Sequence, residues 1–105
     1  MKRNKNDVIA EIKTARDEAR LRANAYKGLA AKKYDYWRAT FVAVTYDETL
    51  TMFAREAEHN IPNMAAEATA EFEYERDNDI PEMTLAIIDG RRDALATVAE
   101  WMTNR

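Results

Sequence analysis

Apolar residues recur along the first part of the chain at steps of three or four: Val8, Ile12, Ala15, Ala19, Ala23, Tyr26, Ala30, Tyr34, Trp37, Phe41 and Val44. Ten such steps cover 36 residues, the α-helical period. Asn6 or Asp7 can cap the start, Glu11 adds negative charge in the early turns, and no proline stands before Pro62. Unbroken, this would be one helix of about 60 Å at ~1.5 Å per residue. Gly28 is the expected break, because glycine inside a helix costs about 1 kcal/mol relative to alanine. The stripe is thin over its first half, where alanines offer little area at ~25 cal/mol per Å². Its bulk lies between Tyr34 and Phe53. The pattern therefore places the main core there, with the N-terminal part projecting or pairing with another chain.

The segment Trp37–Tyr46 is rich in β-branched and aromatic residues and could form a strand, but no second segment offers it a partner, so helix is the reading. A second helix is expected from Asp47 to about Glu58, with Leu50, Phe53, Ala54 and Ala57 on its apolar side. Asn60-Ile61-Pro62-Asn63-Met64 and Asp79-Ile80-Pro81-Glu82-Met83 share one form. Each reads as a helix start: a capping side chain, a proline where no N–H is needed, then an apolar residue facing inward. The third helix would span about Pro62 to Arg76 and the fourth about Pro81 to Met102. In the fourth, Ile80, Thr84, Ile87, Ile88, Leu95, Val98 and Met102 mark the buried side, and Asp89-Gly90 is a place to kink or split. The fold class is all-α: about four helices in a small bundle, the first long and kinked at Gly28.

Composition narrows this further. Two Gly and two Pro leave too little turn chemistry for a sandwich or barrel. At 105 residues the chain is one domain with a single core. The absence of Cys removes disulfides, thiolate metal sites and thiol nucleophiles. The basic start is followed only by the short apolar stretch Val8-Ile9-Ala10, and no run approaches membrane-spanning length, so a cytoplasmic protein is the default expectation.

Charge changes the picture most. Residues 1–33 hold ten basic and four acidic residues, a net of +6; residues 34–105 hold six basic and fifteen acidic, a net of −9. Sorted charge of this kind bears on partners and self-association rather than on fold. On this basis the domain divides into a basic helical arm, 1–33, and an acidic body, 34–105.

Candidate chemistry is sparse. His59 is the single histidine, and Glu56-Ala57-Glu58-His59 has the Glu-x-x-His spacing that puts two ligands on one helical face in di-iron bundles. A second such pair is missing, so the plainer reading is a histidine favourable to a helix C-terminus. Neither Glu-x-x-Glu nor Glu-x-x-Asp occurs, and there is no glycine-rich phosphate loop or Ca²⁺ loop. No metal, cofactor or catalytic residue is expected. What remains are two charged surfaces. Glu67, Glu71, Glu73, Glu75, Asp77 and Asp79 form an acidic run within which Glu67, Glu71 and Glu75 are four residues apart, a spacing that costs a few tenths of a kcal/mol per like-charged pair. Lys13, Arg16, Arg20 and Lys27 track along one flank of the first helix and could neutralise phosphates, although Asp17 and Glu18 interrupt them. The sequence expectation is a non-catalytic binding or regulatory protein whose acidic helix meets a basic patch on a protein partner, in the extreme as a mimic that inhibits a nucleic-acid-binding protein. A nucleic-acid-binding module using the four basic residues ranks below it, beside a self-assembling helical protein in which the basic arm of one chain joins the acidic body of the next; a homodimer using the long first helix is a further expectation.

Overall fold

A computed structural model describes residues 4–103, and every regular element among them is helical: α1 (Lys5–Tyr26), α2 (Lys33–Ala54), α3 (Ile61–Arg76) and α4 (Glu82–Thr103). The small all-α bundle expected from the pattern is what forms. Asn4, rather than Asn6 or Asp7, caps α1. Its side-chain oxygen accepts the Asp7 N–H at 2.9 Å, and the Asp7 carboxylate accepts the Asn4 N–H at 3.4 Å, which satisfies two of the free donors at the helix start.

Gly28 does break the first periodic stretch, and more sharply than a kink. Its φ of +79° is open to glycine at little cost. Residues 27–29 reverse the chain, a 3₁₀ turn at Ala30–Lys32 follows, and α2 runs back along α1. The antiparallel pairing shows in the cross-links: Lys5 meets Glu58 at 3.3 Å, while Arg16 and Arg20 both reach Asp47. The N-terminal segment is therefore not a projecting arm. Val8, Ile12 and Ala19 are fully buried and join Val42, Ala43, Tyr46 and Phe53 of α2 in the common core.

Two expectations for α2 fail. No helix begins at Asp47, because α2 continues through it to Ala54. It ends where Glu56 takes a positive φ of 57°, with Ala57 N–H bonded back to Met52 C=O at 2.8 Å, the six-to-one bond of a left-handed helix stop. The second failure concerns phase. The buried residues of α2 are Ala39, Val42, Ala43, Thr45, Tyr46, Thr49 and Phe53, whereas Trp37 and Phe41 are only partly buried and Val44 is half exposed. From Trp37 onward, the stripe extrapolated through Gly28 thus lies on the outer face of α2. A chain reversal resets helical phase, so the period of α1 had no authority over α2.

Helix α3 starts with Pro62 in its first turn, and Asn60 supplies no side-chain cap. Ile61, Ala65 and Ala68 turn inward. α4 starts immediately after Pro81, but the two similar starts differ in burial: Met64 packs against the core and Met83 is about half exposed. α4 runs beside α2 in the same sense, as the successive pairs Tyr34–Asp89, Arg38–Asp93 and Tyr46–Trp101 record. The helix does not split at Asp89-Gly90; both residues are buried inside a continuous helix. Gly90 is where α4 presses backbone to backbone on α2. A Cβ there would lie 2.5 Å from the Arg38 carbonyl oxygen and 3.2 Å from the Val42 nitrogen. Ala86, Ala94, Leu95 and Val98 complete the inward side, while Thr84, expected there, is exposed.

Candidate functional site

Charged groups in this bundle fall into three settings. The first is interior. Asp89, on α4, is nearly buried where α2 crosses, and its carboxylate accepts hydrogen bonds from the Tyr34 hydroxyl at 2.7 Å, from Arg38 Nε at 3.0 Å and from Arg92. Arg38 extends to Asp93 at 2.8 Å, and the Arg92 guanidinium lies 4.5 Å from the ring centre of Phe72 on α3. Burial pulls the Asp89 carboxyl upward, but the bonds from Tyr34 and Arg92 and the charge of Arg38 outweigh it and hold the group below its ordinary value. Tyr34 moves the other way, to about 12, through burial and its bond to Asp89. These groups tie three helices together. Their shifts are those of a structural network in which each charge has its counter-charge within bonding distance, although the buried Arg92 Nε finds no hydrogen-bond partner.

The second setting is the α1–α2 seam, and here the basic stripe is divided. Arg16 donates to Asp47 at 3.1 Å and to Asp17 at 3.1 Å; Arg20 reaches Asp47 at 2.8 Å. Those hydrogen bonds, Asp47 first, raise Arg16 above its ordinary value. Lys13 and Lys27 remain exposed. Of the four residues read as a phosphate-facing line, the structure thus places two as ligands of one carboxylate from α2. Asp47, read from sequence as a helix start, is the clamp that joins them.

The third setting is α3. The segment 67–82 carries seven carboxylates and one arginine, a net of −6. At ~3.6 residues per turn the six nominated acids divide between two flanks. Glu67, Glu71 and Glu75 descend one side of α3, Glu73 and Asp77 lie nearly opposite, and Asp79 sits in the connection to α4. They do not compose a single face. Beside the first flank is a shallow groove of about 190 Å³, lined by Met64, Ala68, Glu67 and Glu71 from α3 and by Ile88 and Arg91 from α4. Arg91 does not neutralise those glutamates. Its guanidinium is held by the Glu48 carboxylate through bonds of 2.7 and 3.3 Å, on the α2 side. Among the described residues the ion pairs leave Glu67, Glu71 and Glu75 without a cation, and the nearest approach to neutralisation in the segment is the exposed Arg76–Asp77 pair at 3.8 Å.

The metal reading finds no geometry. α2 stops before Glu56, and His59 belongs to a separate 3₁₀ turn, Glu58–Asn60, so the two do not share a helical face. His59 stands just ahead of the α3 start and not at the last turn of a helix. Among the described residues no group of three His, Asp or Glu side chains is placed to hold an ion, and no helix is long and apolar enough to cross a membrane.

Sequence reasoning missed the interior network because Asp89-Gly90 read as a place to kink or split, and nothing in the local pattern joins Arg38 to it. One signal was present: a glycine amid Ala86, Ala94, Leu95 and Val98 at helical spacing marks a close approach as readily as a kink. No protein-family model, curated protein or solved structure matches this chain.

Proposed function

We propose that the chain is a non-catalytic binding protein that engages a basic protein surface through the Glu67–Glu71–Glu75 flank of α3. The observation that carries this reading is the contrast in pairing. Arginines of α1 are bound by Asp47 and Arg91 by Glu48, whereas this flank keeps its charge and pays a few tenths of a kcal/mol per adjacent pair for doing so. The neighbouring groove supplies the second half of a binding surface. A lysine or arginine from a partner can lay its aliphatic stem over Met64, Ala68 and Ile88 while its charge meets Glu67 and Glu71. Carboxylates repeating every ~6 Å along a helix also present a regular anionic row. Mimicry of a nucleic-acid backbone toward a basic groove is the finer form of the same proposal.

The test is calorimetric titration of the full chain with an arginine-rich peptide at low and at high salt, alongside a short DNA duplex. Expected is peptide binding that weakens with salt, falls at least ~tenfold in Glu67→Gln/Glu71→Gln, and changes little in Glu73→Gln/Asp77→Asn on the opposite flank. Equal losses from both flanks, absence of peptide binding, or preferential binding of the duplex would each reject the proposal.

A further inference from the structure

The outer face of α2 is apolar, with Val44 exposed and Trp37 and Phe41 partly so. Trp37, Phe41 and Val44 follow one another at spacings of four and three, the rings of Trp37 and Phe41 lie 6.4 Å apart, and Val44 is 49% exposed. Solvated helix faces are ordinarily polar, and a seam with this spacing is the kind that a second helix covers. The strip is bounded by opposite charges: Lys33 at its N-terminal end and Glu48 one helical step beyond Val44. Lys33 has no ion pair among the described residues, and Glu48, though bound to Arg91, keeps 39% of its side chain exposed.

This arrangement is self-complementary. A second α2 laid antiparallel, with the two-fold axis passing between Thr40 and Phe41, sets Trp37 against the partner's Val44 and Lys33 against the partner's Glu48. Both pairs then repeat by symmetry, as an isologous interface requires. A parallel neighbour would instead align Lys33 with the partner's Lys33 and Glu48 with the partner's Glu48. From Lys33 to Glu48 the strip is about 22 Å long at ~1.5 Å per residue. Half-exposed Leu29 and Met83 widen it at the Lys33 end: Leu29 borders a groove with Lys33 and Trp37, and Met83 another with Lys33, Tyr34 and Trp37. A standard interface takes ~800 Å² from each partner, roughly an eighth of this chain's 6547 Å².

We infer that the chain forms an antiparallel homodimer through the Trp37–Phe41–Val44 face of α2, with Lys33 and Glu48 fixing the direction of pairing. Its apolar centre is distinct from the α3 flank and the two meet only at the Glu48–Arg91 pair, so Val44→Arg tests the dimer without touching the proposed partner contact. It also differs from assembly through sorted charge, because its centre is apolar and outlasts salt.

The experiment is sedimentation equilibrium of the full chain over a range of concentrations, at low and high salt, with fluorescence of its two tryptophans, Trp37 and Trp101, in parallel. Expected is a species of twice 12.1 kDa that persists in high salt, with tryptophan emission shifting to shorter wavelength as the dimer fills. Val44→Arg, a change at a half-exposed site, should weaken dimerisation at least ~tenfold while far-ultraviolet circular dichroism and melting temperature stay as in the parent. Lys33→Glu should weaken it less, and more at low salt than at high. A monomer at all concentrations, a dimer that dissolves in salt, or a dimer indifferent to Val44→Arg would overturn the inference.

Discussion

Where α4 crosses α2, Asp89 is enclosed by Tyr34, Arg38 and Arg92; on the flank of α3, Glu67 and Glu71 face a groove and solvent with their one arginine neighbour turned toward Glu48. The two regions use the same side-chain chemistry for different ends. In the first, the carboxylate is removed from water and held by Tyr34 and Arg38 of another helix as well as by Arg92 of its own. In the second, charge is left in water, where it adds nothing to the fold and stays free for something else. What a carboxylate does here is set by the helix opposite it. Burial decides whether losing it unfolds the protein or only alters its surface.

The largest effect belongs to the crossing itself. Gly90→Ala drives a methyl carbon to 2.5 Å from a backbone oxygen that cannot rotate away. Helices α2 and α4 must separate, and even with alanine's better helix propensity the loss should be about 3 kcal/mol, a melting shift of more than ~10 °C. Thermal and urea melts measure it; an unchanged melting temperature would show that the helices do not touch there.

Next comes the charge inside the crossing. Asp89→Ala should cost about 2 kcal/mol, toward the small side for a broken buried pair because Arg38 and Arg92 are each about a third exposed and can rehydrate. Acid should reproduce part of this loss in the parent protein. The folded Asp89 titrates below the unfolded one, so its contribution is complete above about pH 4, the unfolded value, and drains away as pH falls through the folded value. Urea midpoints from pH 7 down to pH 2 should therefore drop more steeply in the parent than in Asp89→Ala. Parallel curves would mean that the carboxylate is not held as described.

The smallest effect belongs to α3. Glu71→Gln should change stability by less than ~0.5 kcal/mol, in the stabilising direction, because it relieves repulsion from Glu67 and Glu75. A loss above that would reveal a partner inside the chain and remove the basis for calling the flank free.

The contrast also explains how far the sequence could be read. Helical rather than strand character at Trp37–Tyr46, the break at Gly28 and the starts at Pro62 and Pro81 rest on local backbone preference, which tertiary contacts reinforce here; the count of four agrees because the reversal at Gly28 makes two helices of the first and the start expected at Asp47 does not occur. The face that α2 buries was not local. That helix is apolar on two sides, Ala39–Val42–Tyr46–Phe53 and Trp37–Phe41–Val44, and only the packing of α1 and α4 selects the first. The acidic run was legible as charge but not as two flanks. The link from Arg16 to Asp47, and those from Tyr34 and Arg38 to Asp89, join residues 31 to 55 positions apart in the chain. No periodicity reports such meetings.

The glycine at the crossing has a further consequence, for ancestry. A side chain at position 90 forces α2 and α4 apart, and loss of Asp89 takes from Arg38 and Arg92 the carboxylate they share, while the α3 carboxylates can be exchanged at little cost. Relatives too diverged for overall similarity should therefore still carry Arg-x-x-x-Val on one helix and Asp-Gly-x-Arg on another. That sparse signature, more than the composition or charge of the whole chain, is the trait by which descent from a common fold would be recognised.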